Sequence, residues 1–271
     1  RNYKNMTNQT IQRGNSIVVA MKFDDLSTHV LKSAFEFAER GKLKVVAIHV
    51  AELLPISHNF LAEAITGIDL AQAARSLQKN DLEAAREWLN KLAREIDPKG
   101  QVITTKVLSG SAAQMIAAEA AATNAAFIIT GAASVSHRFI PKGISTALTL
   151  MSTASVPVLV MKLETILGSP QRDFRVLVAD DMRDSGKSAL RTALSLACLY
   201  QSSEVFHVHI NSLTESALEA ALDAGPLHRS SPTEGPAKVY ELVVREIEEQ
   251  LEKRALEVMS GLPSPGINYH P

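Results

Sequence analysis

Cysteine and aromatic residues are scarce in this chain of 271 residues, which has one Cys, one Trp, four Tyr and eight Phe. With Cys198 alone, no intrachain disulfide can form and no cysteine-based zinc site exists. An excess of either charge is also missing. Twenty-eight Lys and Arg stand against 29 Asp and Glu, a formal net charge of −1, so no global basic field is available to hold nucleic acid irrespective of its sequence. No stretch approaches the run of about 18 apolar residues that a membrane-spanning helix requires. Arg1 to Asn15 is polar and lacks the apolar core of a secretory signal, with Met6 a candidate natural start. The expected compartment is the cytoplasm, with neither nucleic acid nor membrane as partner. What remains is ordinary globular composition, 46% hydrophobic and 21% charged at a mean hydropathy of +0.03, which excludes a generally disordered chain. The length suits one large domain or two of ordinary size.

Ile17-Val18-Val19-Ala20-Met21 is an apolar run without polar alternation, the pattern of a strand covered on both faces of a parallel sheet. Asp24, Asp25 and Ser27 follow in a loop whose side-chain oxygens suit a helix N-cap. Val30, Ala34, Phe35, Phe37 and Ala38 keep helical spacing up to Gly41, an expected C-cap. Leu43 to Val50 is a second apolar run, giving the strand–helix–strand unit of a parallel α/β sheet. Leu53 to Ile68 has no clear period. From Asp69 to Ile96, Trp88, Leu92 and Ile96 share one helical stripe that Asp97-Pro98-Lys99-Gly100 stops; Trp88 is expected as a core anchor. Val102 to Leu108 predicts a third strand, ended by Ser109-Gly110-Ser111 and followed by an alanine-rich helix over 112–122. Ala126 to Gly131 predicts a fourth strand running into glycine, and a helix is expected around Ser145 to Thr153. Val156 to Met161 predicts a fifth strand, which Pro157 places at a sheet edge.

Residues 163–173, with Gly168-Ser169-Pro170, read as a linker, and the pattern then restarts. Val176 to Ala179 repeats Val18 to Met21, and Val205-Phe206-His207-Val208 matches Ala47-Ile48-His49-Val50, an offset of about 158 or 159 positions. Two α/β domains related by duplication are the simplest account. The expected organisation is a polar segment over 1–15, a first domain over 16–162, a linker over 163–173 and a second domain over 174–271. In the second domain Gly225 to Pro236 reads as a surface loop, and Val239, Val243, Ile247, Leu251, Ala255 and Val258 keep helical spacing. A third strand is expected to begin at Ile267, so the second domain reads as incomplete.

Four features carry a family resemblance: the opening strand, the His49-Val50 pair in strand two, Ser109-Gly110-Ser111 before a helix, and Phe127 to Gly131 followed at a set distance by Val156 to Val160. On these, residues 16–162 resemble a universal stress protein domain. The second half is similar to the same family through its first two strands and three helical stretches. The resemblance implies an adenine nucleotide alpha hydrolase-like α/β fold, a doubly wound five-stranded parallel sheet in the order three-two-one-four-five, repeated in tandem. It further implies ATP or AMP as ligand, and a homodimer or pseudo-dimer paired through the last strand of the first domain.

The family's phosphate motif is Gly, two residues, Gly, nine residues, Gly, then Ser or Thr. Laid on this sequence it runs from Gly131 to Ser145, with Ser134 at the second glycine position, Ile144 at the third, and Gly143 displaced by one. The acid that ends strand one in nucleotide-binding members is replaced by Lys22, whereas Asp181 stands at that place in the second half. A nucleotide at the carboxyl ends of parallel strands needs close backbone approach, with N–H and hydroxyl groups at a helix start. The candidate binding residues are therefore Lys22, Gly131, Ser134, Gly143, Ser145 and Thr146, with Asp181 in the second half. A Cβ at an altered glycine position obstructs phosphate, so ATP or AMP is expected to bind weakly or not at all. Lys22, His137, Arg138 and Lys142 add positive charge beside the loop, either as a phosphate grip or as solvated surface charge.

Other patterns read as structural. Gly186-Lys187-Ser188 resembles the tail of a P-loop, but the glycine required five positions earlier is Asp181. His207 and His209 share a strand face without a recognisable third ligand, and the recurrence of His49 at the His207 position suggests a structural role. The Asp24-Asp25 and Asp180-Asp181 pairs are expected to cap helices rather than exchange protons with a substrate. Ser27 and Ser185 lack an elbow or a histidine partner, and Cys198 is expected to pack. No catalytic residue and no metal site is predicted. The expected function is that of a cytoplasmic stress-response regulatory protein, not an enzyme, acting through dimerisation and weak adenine-nucleotide or anion binding. The alternatives are a ligand-free interaction module and a slow nucleotide hydrolase, the latter without a visible general base.

Overall fold

The computed structural model describes residues 14–51, 70–132, 146–161, 174–200, 203–210, 236–260, 262 and 267–271. They belong to two compact units, one drawn from residues 13–170 and one containing 171–271. The expected linker, the loop up to residue 235 and the stretch from Leu53 to Ile68 lie outside the described residues.

The first unit runs β1 (Ser16–Met21), α1 (Asp25–Gly41), β2 (Lys44–Ala51), α2 (Leu70–Ile96), β3 (Ile103–Ser109), α3 (Ala112–Ala122), β4 (Ala125–Gly131), α4 (Thr146–Thr153) and β5 (Val158–Met161). Its five strands pair in parallel in the order β3-β2-β1-β4-β5, the doubly wound sheet expected from the unalternated apolar runs. Val18 lies opposite Val46 on one side and Ile128 on the other. Ile17, Val18 and Val19 are wholly buried, each contributing about 1.5–3 kcal/mol of apolar burial. One face of the sheet is closed by α3 and α4, where Ala113, Ile116, Ala120 and Leu150 pack on Val18, Val46, Ile48 and Ile128. On the other face, Phe37 of α1 meets Phe127 of β4 edge to face at 5.2 Å.

Local signals set the ends of these elements. Asp24 caps α1, its Oδ1 accepting the Ser27 N–H at 2.8 Å. At the other end the expected glycine cap is displaced: Gly41 is the last helical residue, and Lys42 takes the left-handed conformation at φ 53°. The Leu43 N–H then closes onto the Ala38 carbonyl at 2.9 Å. Asp97 joins α2 to β3, its carboxylate accepting the N–H groups of Val102 at 2.7 Å and Ile103 at 2.9 Å. Val102 is thereby held in the turn, and β3 starts one residue later than expected.

The second unit contains β6 (Phe174–Ala179), α5 (Asp184–Ala197), β7 (Ser203–Val208), α6 (Pro236–Met259) and β8 (Ile267–His270). The strands are parallel in the order β6-β7-β8, repeating the β1-β2-β3 half of the first sheet and including the strand expected at Ile267. Pro236 opens α6, where its missing N–H costs no helical bond. Val178, Leu190, Leu194, Ala197, Val205, Ala255 and Val258 form the core. No helix among the described residues is long and apolar enough to cross a membrane.

Candidate functional site

In the first unit the crossovers from β1 and from β4 leave in opposite directions, so a crevice lies between the carboxyl ends of these neighbouring strands. Lys22 leaves β1 at this point with an exposed side chain. Its N–H donates to the buried Ser27 Oγ at 2.7 Å, which draws the β1–α1 turn closed. Gly131 ends β4, and a Cβ built there would lie 2.8 Å from Leu26 Cδ2. The glycine lets the Leu26 side chain of α1 pack closely against β4, and a larger residue there would make that side chain shift. Thr146 opens α4, half-buried. The structure thus brings Lys22 and Gly131 to the switch point. Ser134, Gly143 and Ser145 lie outside the described residues, as do His137, Arg138 and Lys142.

Three rings meet beside this crevice. Phe23, the residue after Lys22, lies 4.9 Å from His49 and 4.5 Å from Trp88, ring centre to ring centre, and is 54% exposed. The His49 Nδ1–H donates to the Met21 carbonyl at 3.1 Å, tying the end of β2 to the end of β1. Trp88 is consequently half-buried at the rim of the sheet rather than a core anchor; Ala85, Leu89, Leu92 and Ala93 fill the buried stripe of α2. Periodicity alone missed Phe23, whose only signal is an aromatic side chain directly beyond an apolar strand.

The corresponding place in the second unit holds a buried polar network. Asp180 follows β6, and its Oδ2 accepts His207 Nε2–H at 2.9 Å and Arg254 Nε–H at 3.0 Å. Its Oδ1 accepts the Met182 N–H at 2.7 Å. The Arg254 guanidinium extends to the Arg183 carbonyl, and His207 Nδ1 lies 2.8 Å from the Tyr269 hydroxyl. The Asp180 and His207 side chains are fully buried. Burial pushes the Asp180 carboxyl up, but the bonds from His207 and Met182 and the Arg254 charge outweigh it and hold the group below the usual carboxylate range. Burial, with the charges of Glu252 and Asp180, pushes the Tyr269 hydroxyl up to about 12.

Two expectations change here. Asp180 is not a helix cap but the centre of the network; its exposed neighbour Asp181 accepts the Arg183 N–H at 3.0 Å and the Ser185 hydroxyl at 3.1 Å. The counterpart of His49 is His209, whose Nδ1–H donates to the Asp180 carbonyl at 2.7 Å as His49 does to Met21. His207 instead uses both ring nitrogens inside the network, which accounts for the histidine pair without a metal. Gly186 and Lys187 fall in the first turn of α5, with Lys187 paired to Glu257 of α6. Cys198 follows α5, half-buried, and burial pushes its thiol up.

A parallel doubly wound sheet with its crevice at the β1–β4 switch point defines the class. The model of the universal stress protein family matches residues 15–162, more than half of the chain, and the chain belongs to that family. A universal stress protein from Archaeoglobus fulgidus DSM 4304 is 17% identical at a TM-score of 0.55, covering 94% of this chain and 76% of its own. A protein from Pseudomonas aeruginosa UCBPP-PA14 assigned to the universal stress proteins is 19% identical at a TM-score of 0.51, covering 96% of this chain and 76% of its own. At such identities these two show the fold alone. A further universal stress protein from Archaeoglobus fulgidus, solved in complex with dAMP, is 22% identical at a TM-score of 0.38, covering 54% of this chain and 95% of its own. No curated protein matches the chain.

Proposed function

We propose that this universal stress protein is a cytoplasmic regulatory protein that pairs through its β5 edge and holds ATP or AMP weakly in the crevice between β1 and β4. The observation that carries the nucleotide reading is Lys22, an exposed cation at the carboxyl end of the central strand, where it attracts phosphate by charge. Ser134, Gly143, Ser145 and Thr146 are the further phosphate-loop candidates, and Asp181 is the candidate acid of the second unit. For assembly, the support is β5 itself. It pairs only with β4 among the described residues, leaving a row of backbone N–H and C=O groups open. Leu148 and Met151 of α4 add exposed apolar surface. The role is binding rather than catalysis.

A ligand-free interaction module is the second reading, favoured by the Leu26 packing that already accounts for Gly131. Isothermal titration of the whole chain with ATP and AMP, with and without magnesium, separates the two. The expected dissociation constant is tens of micromolar or weaker, about −6 kcal/mol, and Lys22→Ala weakens it further. Submicromolar affinity, or affinity indifferent to Lys22→Ala, overturns the nucleotide reading. Absence of heat leaves the ligand-free module. Light scattering checks the pairing: a monomer at roughly tens of micromolar, with the Val158 and Val160 amides exchanging freely, overturns it.

A further inference from the structure

The buried network of the second unit stands where the first unit is apolar. His209 Nδ1–H reaches the Asp180 carbonyl as His49 reaches that of Met21, so Asp180 takes the place of Met21. Two residues before each, Val178 pairs with His207 and Val19 with Ala47. Two residues before those, Val205 pairs with Tyr269 and Val45 with Ile103. Met21, Ala47 and Ile103, all buried in the first unit, are thus Asp180, His207 and Tyr269 in the second. The same fold closes on apolar side chains at these places, and a buried ionic set adds little stability over such packing. The polar set therefore calls for a use other than holding the sheet together.

Its hydrogen bonds leave one choice open. A carboxylate oxygen only accepts, so His207 Nε2 carries a hydrogen toward Asp180 Oδ2 at 2.9 Å whatever the charge of the ring. Nδ1 faces the Tyr269 hydroxyl at 2.8 Å, and that hydroxyl also lies 3.4 Å from the Leu251 carbonyl of α6. Burial and the charges of Glu252 and Asp180 keep the phenol protonated, so it has one hydrogen for two acceptors. Beside a neutral imidazole it donates to Nδ1. Beside an imidazolium it accepts from Nδ1–H, and its own hydrogen turns to Leu251. Either state leaves both ring nitrogens paired. The charged groups around the ring are Asp180 beyond β6 and Arg254 and Glu252 on α6. On β7, His209 bonds the Asp180 carbonyl; α5 presents only Gly186 to Asp180, its Lys187 being paired with Glu257. Two carboxylates against one guanidinium leave room for a second cation.

We propose that His207 and Tyr269 form a proton switch, in which uptake of one proton by His207 moves the Tyr269 hydroxyl bond from β7 to the Leu251 carbonyl of α6. The proton comes from solvent and binds Nδ1, and no other covalent bond changes. Side-chain nitrogen NMR of the whole chain tests it over roughly pH 8 to 5, where an imidazole changes charge. His207 should pass from singly to doubly protonated with the second unit still folded. The Tyr269 Cζ and Leu251 carbonyl carbon signals should move with the same midpoint. Tyr269→Phe removes the group that serves both states, so a charged ring would carry an unpaired buried donor. The folded variant then resists the proton, whereas its unfolded chain takes it near the ordinary histidine value of about 6.5. Since stability falls with pH wherever the unfolded chain binds more protons, the second-unit denaturation midpoint of Tyr269→Phe should drop between about pH 7 and 5, while that of the unmodified chain holds. A purely structural hydroxyl would lower both ends of that range equally. The NMR measurement uses the unmodified chain and stays decisive if the variant disturbs the fold. A His207 ring singly protonated down to about pH 5, a Leu251 carbonyl unmoved by its titration, or a Tyr269→Phe profile as flat as the unmodified one overturns the proposal.

Discussion

Replacing Gly186 by Ala tests the buried network of the second unit with a single methyl group. Gly186 is buried in the first turn of α5, and a Cβ there would stand 1.8 Å from Asp180 Oδ1 and 2.5 Å from its Cγ. The carboxylate must retreat to about 3.4 Å for ordinary contact, and it cannot do so while keeping the Met182 N–H at 2.7 Å, His207 at 2.9 Å and Arg254 at 3.0 Å. Each charge-assisted bond lost contributes about 1.5–3 kcal/mol. Removing Gly from a helix returns at most about 1 kcal/mol in propensity, so the net loss is about 2–4 kcal/mol. Chemical denaturation of the whole chain measures it, with far-ultraviolet circular dichroism following both units. Trp88, the sole tryptophan, reports the first unit through its fluorescence and should keep its midpoint. A double-mutant cycle fixes the mechanism. Once Asp180→Ala has removed the carboxylate, Gly186→Ala should become neutral or slightly stabilising. Unchanged stability of the single Gly186→Ala variant, or an equal loss with and without Asp180, would refute the reasoning.

Two further outcomes follow from the same groups. Tyr269→Phe leaves His207 Nδ1 buried without its 2.8 Å partner and should lower the second-unit transition by about 1–2 kcal/mol, whereas an unchanged midpoint would show the hydroxyl to be dispensable. Asp97 and Asp180 both have folded carboxyls below the ordinary value of 3.8: burial opposes this in each, and hydrogen bonds, joined at Asp180 by the Arg254 charge, overcome it. Their stabilisation is complete above the unfolded value and is lost as pH falls through the folded one, so denaturation midpoints should hold from pH 7 to about 5 and drop below about 4; Asp97→Asn should flatten that drop in the Trp88 signal, and a drop that persists would remove Asp97 from the acid transition.

The sheet was legible because its evidence is local. Ile17 to Met21, Leu43 to Val50 and Ala126 to Gly131 are apolar without alternation, and only a strand buried on both faces makes use of that. Pro157 likewise marked β5 as an edge, and among the described residues β5 is one. The polar sites were less legible because their partners are remote. Asp180 and Asp181 are indistinguishable as neighbours in the sequence. Which of them is buried depends on β6 ending at Ala179 and on Arg254 arriving 74 residues later. The histidine match failed for a related reason. His207 and His209 both fit a motif at the end of strand two, and only the distance from each to Asp180 separates the network member from the carbonyl-bonded one. Gly131 was read as room for a nucleotide to approach the backbone, and the group seen beside it is the Leu26 side chain. A glycine records that space is needed and carries no information on what fills it.

The two halves resolve one backbone problem by different chemistry. In each, an N–H just beyond the unit's first strand finds an acceptor in a nearby side chain. The first unit supplies Ser27 Oγ to the Lys22 N–H. Counting 159 positions on, Gly186 stands where Ser27 was and Asp181 where Lys22 was; the space that the absent side chain of Gly186 leaves is filled by the Asp180 carboxylate, which accepts the N–H of Met182, one residue further on. A hydroxyl brings no charge and calls for no compensating ion. A buried carboxylate needs compensation, and Arg254 and His207 supply it from α6 and β7. Arg254 is therefore committed to an internal acid, while Lys22 faces solvent.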